Sequence, residues 1–282
     1  MSDLLVLQFE EGCPAARLGD WLVEAGLVLD TRRVDLGEAP SSLDGFDGVL
    51  VLGGAISSYG DLPYLSAVKQ LLREAVAVEL PILGVCLGGQ LLALANGGRV
   101  EPNPDGPELG AELVAKRTAA ATDPLFREMP IAPDVIQWHW DAVTTLPPGA
   151  IQLASSVTCE NQAYRLGRLA WGVQFHIETT PEIVEAWAAH DAGRIEEYDV
   201  EHILERAAAI HDDIEEVWRP FAVGFAEIVA DPSAVPPPAG AVRTSMAEPL
   251  TDPAMIRAAL AAEAMHAHAS NVIPLQTRRP DA

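Results

Sequence analysis

The 282-residue sequence has few basic side chains, 18 Lys and Arg against 41 Asp and Glu, so its formal net charge is −23. Nucleic acids and anionic lipids bind clustered Lys and Arg, so this charge argues against either as a general partner. The most apolar stretch, residues 80–95, contains Pro81 and three glycines and is shorter than the roughly 20 residues of a membrane helix. The three cysteines form no CxxC pair, which favours a reduced, cytoplasmic compartment over a disulfide framework.

The first hundred residues alternate between two kinds of segment. Strand-length apolar runs at 4–9, 48–52 and 81–85 are separated by amphipathic segments at 15–25 and 65–78. Near-continuous Val, Ile and Leu strands that alternate with helices are typical of a parallel sheet covered on both faces. The sequence therefore predicts a doubly wound, mostly parallel α/β fold. The first residues, MSDLLVLQFEE, lack a basic n-region and a cleavage pattern, so we expect no signal peptide.

The pattern changes after residue 100. Short strand-like pieces at 111–115, 134–140 and 151–154 lie between Pro- and Gly-rich turns, and a further apolar strand occupies 169–175. Residues 181–230 are predicted to be helical. Within them, residues 182–219 hold twelve acidic and three basic side chains, which indicates solvated helix faces.

The composition changes again at residue 231. The last 52 residues contain eight of the 22 prolines and carry a net charge of only −1. We predict one α/β domain at 1–230, followed at 231–282 by a linker and one short Ala-rich helix at about 252–269. Two interpretations of this tail stay open. It is either unattached, or a tether that docks a second copy of the chain or another protein.

The segment PILGVCLGGQ at 81–90 joins a buried strand to a helix through a G-x-C-x-G pattern centred on Cys86. Such an elbow forces its central residue into a strained backbone conformation and exposes the side chain. Gly84 and Gly88 leave room where a Cβ would clash across the turn. The positive end of the following helix dipole favours a thiolate. The elbow alone is also compatible with a buried structural cysteine, the usual environment of a free thiol.

The segment GVQFHIE at 172–178 provides a partner for this thiol. His176 and Glu178 are two residues apart at the end of an apolar strand, so their side chains point the same way. The carboxylate can then fix the tautomer of the imidazole and stabilise the imidazolium. Cysteine, histidine and an orienting carboxylate are the parts of an activated-nucleophile site.

Paired glycines, Gly53 and Gly54, follow the strand at 48–52. Glycines in this position allow backbone N–H groups to approach a ligand, as an oxyanion hole requires. Taken alone, the pair is also an ordinary turn.

Together the elbow GVCLGGQ, the strand end GVQFHIE and the strand–GGA loop resemble the class I, triad-type glutamine amidotransferases over roughly residues 4–182. The sequences QWHWD at 137–141 and NQAY at 161–164 resemble the stand-alone bacterial subgroup described as GMP synthase-like. The resemblance implies a flavodoxin-like α/β fold, a cytoplasmic enzyme of glutamine metabolism and no cofactor or metal.

The resemblance also implies roles for individual residues. Cys86 would attack the γ-carboxamide of glutamine, His176 would pass the proton to the departing ammonia, and Glu178 would orient the histidine. The resulting γ-glutamyl thioester would be hydrolysed to glutamate. Backbone N–H groups of Gly54 and Leu87 would hold the oxyanion. The substrate-binding residues would be Gln90, Gly53 and His139, the last as part of the pocket wall.

The sequence departs from the family pattern in two places. Ile177 stands between the histidine and the glutamate, where many relatives have proline, although the spacing is intact. Ala55 and the following ISSYGD replace the commoner Pro- and Ser-containing loop. The second departure bears on substrate access and on which N–H groups hold the oxyanion.

Several alternatives follow from the motifs. An α/β-hydrolase also has a nucleophile elbow, but its acid normally precedes the histidine, whereas Glu178 follows His176. A non-catalytic binding protein on the same fold is disfavoured by the intact Cys86, His176 and Glu178. No Walker-type nucleotide loop is present. The chain would therefore pass ammonia to a separate synthetase partner, or would hydrolyse γ-glutamyl amides without ammonia transfer.

Overall fold

The computed structural model describes residues 1–236, which contain twelve strands and six α-helices. The helices are α1 (Ala16–Glu24), α2 (Pro63–Ala77), α3 (Leu87–Ala95), α4 (Pro181–His190), α5 (Val200–Ala209) and α6 (His211–Ala230). The strands are β1 (Ser2–Gln8), β2 (Leu27–Arg33), β3 (Gly48–Val51), β4 (Ile82–Val85), β5 (Arg99–Pro102), β6 (Glu108–Leu113), β7 (Ala115–Lys116), β8 (Asp134–His139), β9 (Asp141–Thr145), β10 (Ile151–Ser155), β11 (Ala163–Leu166) and β12 (Ala170–Val173).

Eight strands form one central sheet in the order β2-β1-β3-β4-β12-β11-β10-β7. The first five are parallel and the last three antiparallel. The order of the parallel part is that of a flavodoxin-like sheet. The predicted doubly wound, mostly parallel fold is therefore confirmed.

Both faces of this sheet are covered, as the apolar strand runs predict. Along β1, Leu4 and Val6 pack into one core cluster with α1 and α6, whereas Leu5 and Leu7 pack into a second cluster with α2 and α3. All four side chains are fully buried. Because such a strand is buried on both faces, polar residues cannot occupy every second position. The uninterrupted apolar runs in the sequence follow from this architecture.

Several strands were not predicted from the sequence. The edge strand β2 buries only Leu27, so its sequence lacks an apolar run. The piece predicted at 111–115 divides between β6 and β7. Two further two-stranded sheets, β5–β9 and β6–β8, lie beside the main sheet. Their pairing joins segments far apart in sequence, which a local pattern does not reveal.

The helical region predicted at 181–230 consists of α4, α5 and α6, with a 3-10 turn at Ala192–Arg194 after α4. Beyond α6, a second short turn at Pro232–Ala234 is held by Arg168, which donates to the carbonyls of Pro232 and Val235. The predicted tail helix at 252–269 and the predicted dimer contact lie outside the described residues, so the division at residue 230 stays a prediction. None of the helices in residues 1–236 has the length and apolar character to cross a membrane.

Candidate active site

The carboxyl ends of the central parallel strands meet at one edge of the sheet, where open α/β sheets bind their ligands. Glu10 lies just beyond β1, Gly53 and Gly54 follow β3, and Cys86 follows β4 directly. His176 lies three residues beyond β12, and its backbone pairs with Ile136 of β8. Residues from four distant parts of the sequence are therefore brought to one place.

The predicted elbow is present around Cys86. This residue has φ +49° and ψ −109°, a conformation that costs an L-residue about 1–3 kcal/mol. Its N–H donates to the Val173 carbonyl at 2.8 Å, which ties the turn to β12. A Cβ on Gly84 would lie 2.7 Å from the carbonyl of Gly88. The two glycines are therefore required for α3 to start this close to β4.

His176 and Glu178 form the predicted pair. Nδ1 of His176 lies 2.6 Å from Oε1 of Glu178, and both side chains are buried. The second carboxylate oxygen accepts the N–H of Ile177 at 3.0 Å. A proline at position 177 would lack this donor, so the departure from the family pattern adds a hydrogen bond to the carboxylate.

The surroundings of His176 favour its protonated form. Burial lowers the pKa of the imidazole, but the negative charges of Glu178 and Cys86 outweigh burial and raise the pKa to about 10. The Trp187 ring of α4 packs 4.7 Å from the imidazole, centroid to centroid, and shields it from water. The arrangement favours an imidazolium at His176.

Gly53 allows the nucleophile and the histidine to approach each other. A Cβ on Gly53 would lie 3.0 Å from Cε1 of His176 and 3.7 Å from Cβ of Cys86. The side chains of Cys86 and His176 therefore both border the space that a side chain at position 53 would occupy. A larger residue there would displace the imidazole.

The two predicted oxyanion donors are neighbours. A Cβ on Gly54 would lie 2.9 Å from Cδ2 of Leu87. In the described part of the chain the Gly54 N–H makes no hydrogen bond. The Leu87 N–H is the first of α3, where the helix itself provides no acceptor. The carboxylate of Glu10 accepts the N–H of Ala55 and anchors the loop.

The divergent ISSYGD loop is held by Asp141 of β9. Ser57 Oγ donates to this carboxylate at 3.0 Å and the Tyr59 hydroxyl donates to it at 3.1 Å. The loop therefore has its own anchor in place of the Pro- and Ser-containing sequence of relatives.

Gln90 is buried and belongs to a chain of side chains that reaches the nucleophile. Its amide donates to the Asp141 carbonyl and to Oε1 of Gln174, both at 3.1 Å. Gln174 in turn donates to the Cys86 sulfur at 3.5 Å. Gln174 therefore links Gln90 to the Cys86 side chain. Gln174 was not predicted from the sequence, although its spacing of two from His176 is a signal that it points the same way.

His139 lines the same cavity, but neither ring nitrogen is free to bind a ligand. Nδ1 lies 3.0 Å from the Asp141 carbonyl and Nε2 lies 2.8 Å from Glu108. Only the face of the ring is open to a substrate. This arrangement is compatible with the predicted role of His139 as part of the pocket wall, and it leaves no ring nitrogen for proton transfer.

A buried group next to this wall has the residue types of a metal site. Ligand atoms of Glu108, His139 and Cys159 lie within 4.8 Å of one another. The Glu108 carboxylate, however, already accepts hydrogen bonds from four side chains, those of His139, Ser156, Thr158 and Gln162. Burial raises the pKa of Cys159 to about 12, which keeps it a thiol. The donor set is satisfied internally and fits a structural network better than an ion.

These groups surround a cavity of about 360 Å³. Cys86, Gly54, Leu87, Gln90, His139 and His176 all line it. The wall on the α4 side consists of Trp138, Trp140, Trp187, Asp191 and Arg194. Trp138 adjoins His139 and belongs with it to the predicted wall, whereas the other four were not predicted from the sequence. Trp138 and Trp140 belong to the QWHWD sequence, but Trp187, Asp191 and Arg194 lie in the acidic helical region, where no local signal indicates a cavity wall.

Comparison with known proteins gives the family to which this sequence and fold are similar. The family model described as glutamine amidotransferase class-I matches residues 18–186. The chain belongs to the class-I glutamine amidotransferase family. The motif-based resemblance is therefore confirmed.

Individual members of the family are similar over most of the α/β domain. A glutamine amidotransferase from Thermotoga maritima superposes with a TM-score of 0.72 and 29% identity, covering 80% of this chain and 98% of that one. The chain is 32% identical to a glutamine-hydrolyzing GMP synthase subunit of Thermoplasma acidophilum, over 56% of this chain and 76% of that protein. It is 27% identical to gamma-glutamyl peptidase 3 of Arabidopsis thaliana, over 57% and 67% respectively.

Proposed function

We propose that this amidotransferase-family chain hydrolyses the side-chain amide of glutamine through a γ-glutamyl thioester on Cys86. The observation that supports the proposal most strongly is the strained thiol elbow beside a buried His176–Glu178 pair. A backbone strain of this kind persists only where the surrounding structure maintains it, and it is common at nucleophiles.

The proposed reaction has two stages. The Cys86 thiolate attacks the γ-carbonyl carbon, and the negative oxygen that forms is held by the N–H groups of Gly54 and Leu87. His176 gives its proton to the nitrogen, the C–N bond breaks, and ammonia leaves. Water then attacks the thioester with His176 as base, which releases glutamate and restores the thiolate. Glu178 keeps the imidazole oriented throughout.

The ammonia is proposed to pass to a separate synthetase or another acceptor. The sequence has no Walker-type nucleotide loop with which to activate an acceptor itself. The similar GMP synthase protein of Thermoplasma acidophilum is by its name one subunit of an assembly. That likeness supports a partner but does not identify it.

A second candidate is hydrolysis of γ-glutamyl peptides without ammonia transfer. The cavity supports it, because about 360 Å³ lined by three tryptophans is more room than glutamine with ammonia as its leaving group needs. The similarity to gamma-glutamyl peptidase 3 points the same way. The two reactions share the thioester and differ only in the amine that leaves.

The test of the shared chemistry is covalent labelling with 6-diazo-5-oxo-norleucine, a glutamine-mimicking electrophile, followed by peptide mass spectrometry. We expect one adduct, on Cys86. Cys13 and Cys159 serve as internal controls, since burial raises the pKa of both thiols and keeps them unreactive. An unmodified Cys86 in folded protein would contradict the proposed mechanism.

The Glu178→Gln variant is expected to move the alkaline limit of activity to lower pH. His176 must be protonated to assist the leaving amine, and its raised pKa keeps it so up to about pH 10. Glutamine keeps the shape of the side chain and an oxygen for the His176 Nδ1–H, but it removes the charge and the acceptor of the Ile177 N–H. The His176 pKa should therefore fall by roughly one unit or more. The measurement is kcat/KM for ammonia release as a function of pH.

The control for loss of a carboxylate is Glu205→Gln, at an exposed position on α5. This variant should keep the wild-type pH profile. An alkaline limb that stays in place in Glu178→Gln would show that Glu178 does not set the protonation of His176.

A further inference from the structure

Arg194 ends the 3-10 turn after α4 and reaches the rim of the active-site cavity. Its guanidinium carbon lies 3.7 Å from the ring centroid of Trp140, so the cation rests on the aromatic face. Among the described residues that line the cavity it is the sole Lys or Arg. Such stacking fixes the guanidinium plane while leaving its edge open to a ligand.

Most of the Arg194 donors are unused. A guanidinium has five N–H donors. In residues 1–236 its one close acceptor is Asp191, where Nη1 and Oδ1 are 3.5 Å apart. The other oxygen of Asp191 accepts the indole N–H of Trp138 at 2.9 Å. The side chain of Arg194 is 52% exposed, so a ligand entering the cavity can reach it.

The remaining carboxylates of the cavity do not neutralise Arg194. Glu10 holds the Ala55 N–H, and Asp141 holds Ser57 and Tyr59. Arg194 therefore faces the cavity with Asp191 as its one ion-pair partner and with most of its N–H donors unused. The planar fork of an arginine matches the two oxygens of a carboxylate.

We propose that Arg194, held flat on Trp140, binds a carboxylate of the substrate. This inference rests on the proposed function and names the group by which the site recognises its substrate. Two carboxylates have the required chemistry. One is the α-carboxylate of the glutamyl group itself, and the other is the terminal carboxylate of the amino acid that leaves from a γ-glutamyl dipeptide.

The family model does not cover Arg194, because its match ends at residue 186. Arg194 is one of three basic residues in the acidic segment 182–219. That segment otherwise has the composition of solvated helix faces. A lone cation directed at the cavity is an exception to the pattern that the surrounding sequence suggests.

The test measures binding to Cys86→Ser protein, with and without Arg194→Gln, by titration calorimetry. Two matched pairs of ligands are compared, L-glutamine with its α-carboxamide, and γ-glutamylglycine with γ-glutamylglycine amide. We expect Cys86→Ser protein to prefer the carboxylate in at least one pair by about tenfold, and Arg194→Gln to abolish that preference. A preference in the first pair identifies the α-carboxylate, and one confined to the second pair identifies the leaving group.

A matched control is available in Arg219→Gln. Arg219 is 51% exposed and pairs with Glu24 on the outer surface, away from the cavity. Its loss removes one positive charge from the same acidic segment and should leave both preferences unchanged. In otherwise wild-type protein, Arg194→Gln should raise KM about tenfold, with kcat nearly unchanged, for the substrate that carries the recognised carboxylate, which is the sign of lost ground-state binding.

Three outcomes would overturn the proposal. They are equal weakening of carboxylate and carboxamide ligands by Arg194→Gln, no effect of the substitution on any ligand, and no binding of any of the four ligands. The proposed function is tested separately, by the covalent labelling of Cys86. An intact carboxylate preference with no labelling of Cys86 would contradict the thioester mechanism and support the role of Arg194.

Discussion

Replacing Cys86 by alanine is expected to lower kcat/KM for glutamine by at least about 10⁴-fold. Without sulfur no thioester forms, and the oxyanion donors and the substrate pocket alone provide only a small residual rate. The measurement is steady-state release of ammonia and glutamate, together with trapping of the acyl-enzyme by mass spectrometry.

The fold should tolerate this substitution. Alanine keeps the Cβ, and the strain at φ +49° is the same for both residues. The thiol is 7% exposed, so its removal should change the free energy of unfolding by about 1 kcal/mol or less. Urea denaturation checks this point and separates loss of chemistry from loss of structure.

The control for removing a buried thiol is Cys159→Ala, since Cys159 does not line the cavity. It should retain most of the wild-type activity. If Cys86→Ala kept more than about one hundredth of the wild-type kcat/KM, the covalent mechanism would be wrong.

Replacing Gly88 by alanine is expected to cause the largest loss of stability among single methyl additions at the elbow. The new Cβ would lie 2.1 Å from the carbonyl oxygen of Val51 and 2.7 Å from its carbon. These are backbone atoms of β3, so no side-chain rotation relieves the contact. Either α3 or β3 must move. Overpacking of this severity should cost roughly 3 kcal/mol or more in free energy of unfolding.

The same displacement should also impair the site. Gly88 lies two residues after Cys86, and β3 leads directly into Gly53 and Gly54. A shift between α3 and β3 would separate the nucleophile from the oxyanion loop. We therefore expect kcat to fall even at temperatures at which the variant remains folded.

Gly193→Ala is the matched control for Gly88→Ala. A Cβ at Gly193 would meet no atom within 4 Å, so its effect on the free energy of unfolding should be within about 0.5 kcal/mol. Equal stability of the two variants would mean that the β3–α3 contact is looser than the structure indicates.

The parts of the site that could be predicted from sequence are those encoded by short spacing. The elbow needs Gly84, Cys86 and Gly88 within five residues, and the histidine pair needs His176 and Glu178 two residues apart on an extended segment. Both patterns are therefore recognisable within a few residues, although contacts with β3 and β12 hold the elbow in place. The parallel strands were recognisable for a similar reason, because burial on both faces imposes a continuous apolar run.

Other functional features depended on contacts between distant segments. Gln174 contacts Cys86 across 88 positions, and the Trp187 indole donates to the Gly12 carbonyl across 175. The hydrogen bonds of both His139 ring nitrogens likewise come from groups that no local pattern places there.

The sequence by itself therefore determined the parallel part of the sheet and the family, and it identified Cys86, His176 and Glu178 as the candidate reacting groups. Each of these features is encoded in local periodicity or in a motif of a few residues. Only the tertiary structure decided what surrounds the reacting atoms. The tryptophan wall and Arg194 over Trp140 arise where α4 and its turn contact Trp138 and Trp140, and the loop is anchored by Asp141 of β9. Packing between distant segments sets these positions, so a region with the composition of solvated helices forms one side of the cavity.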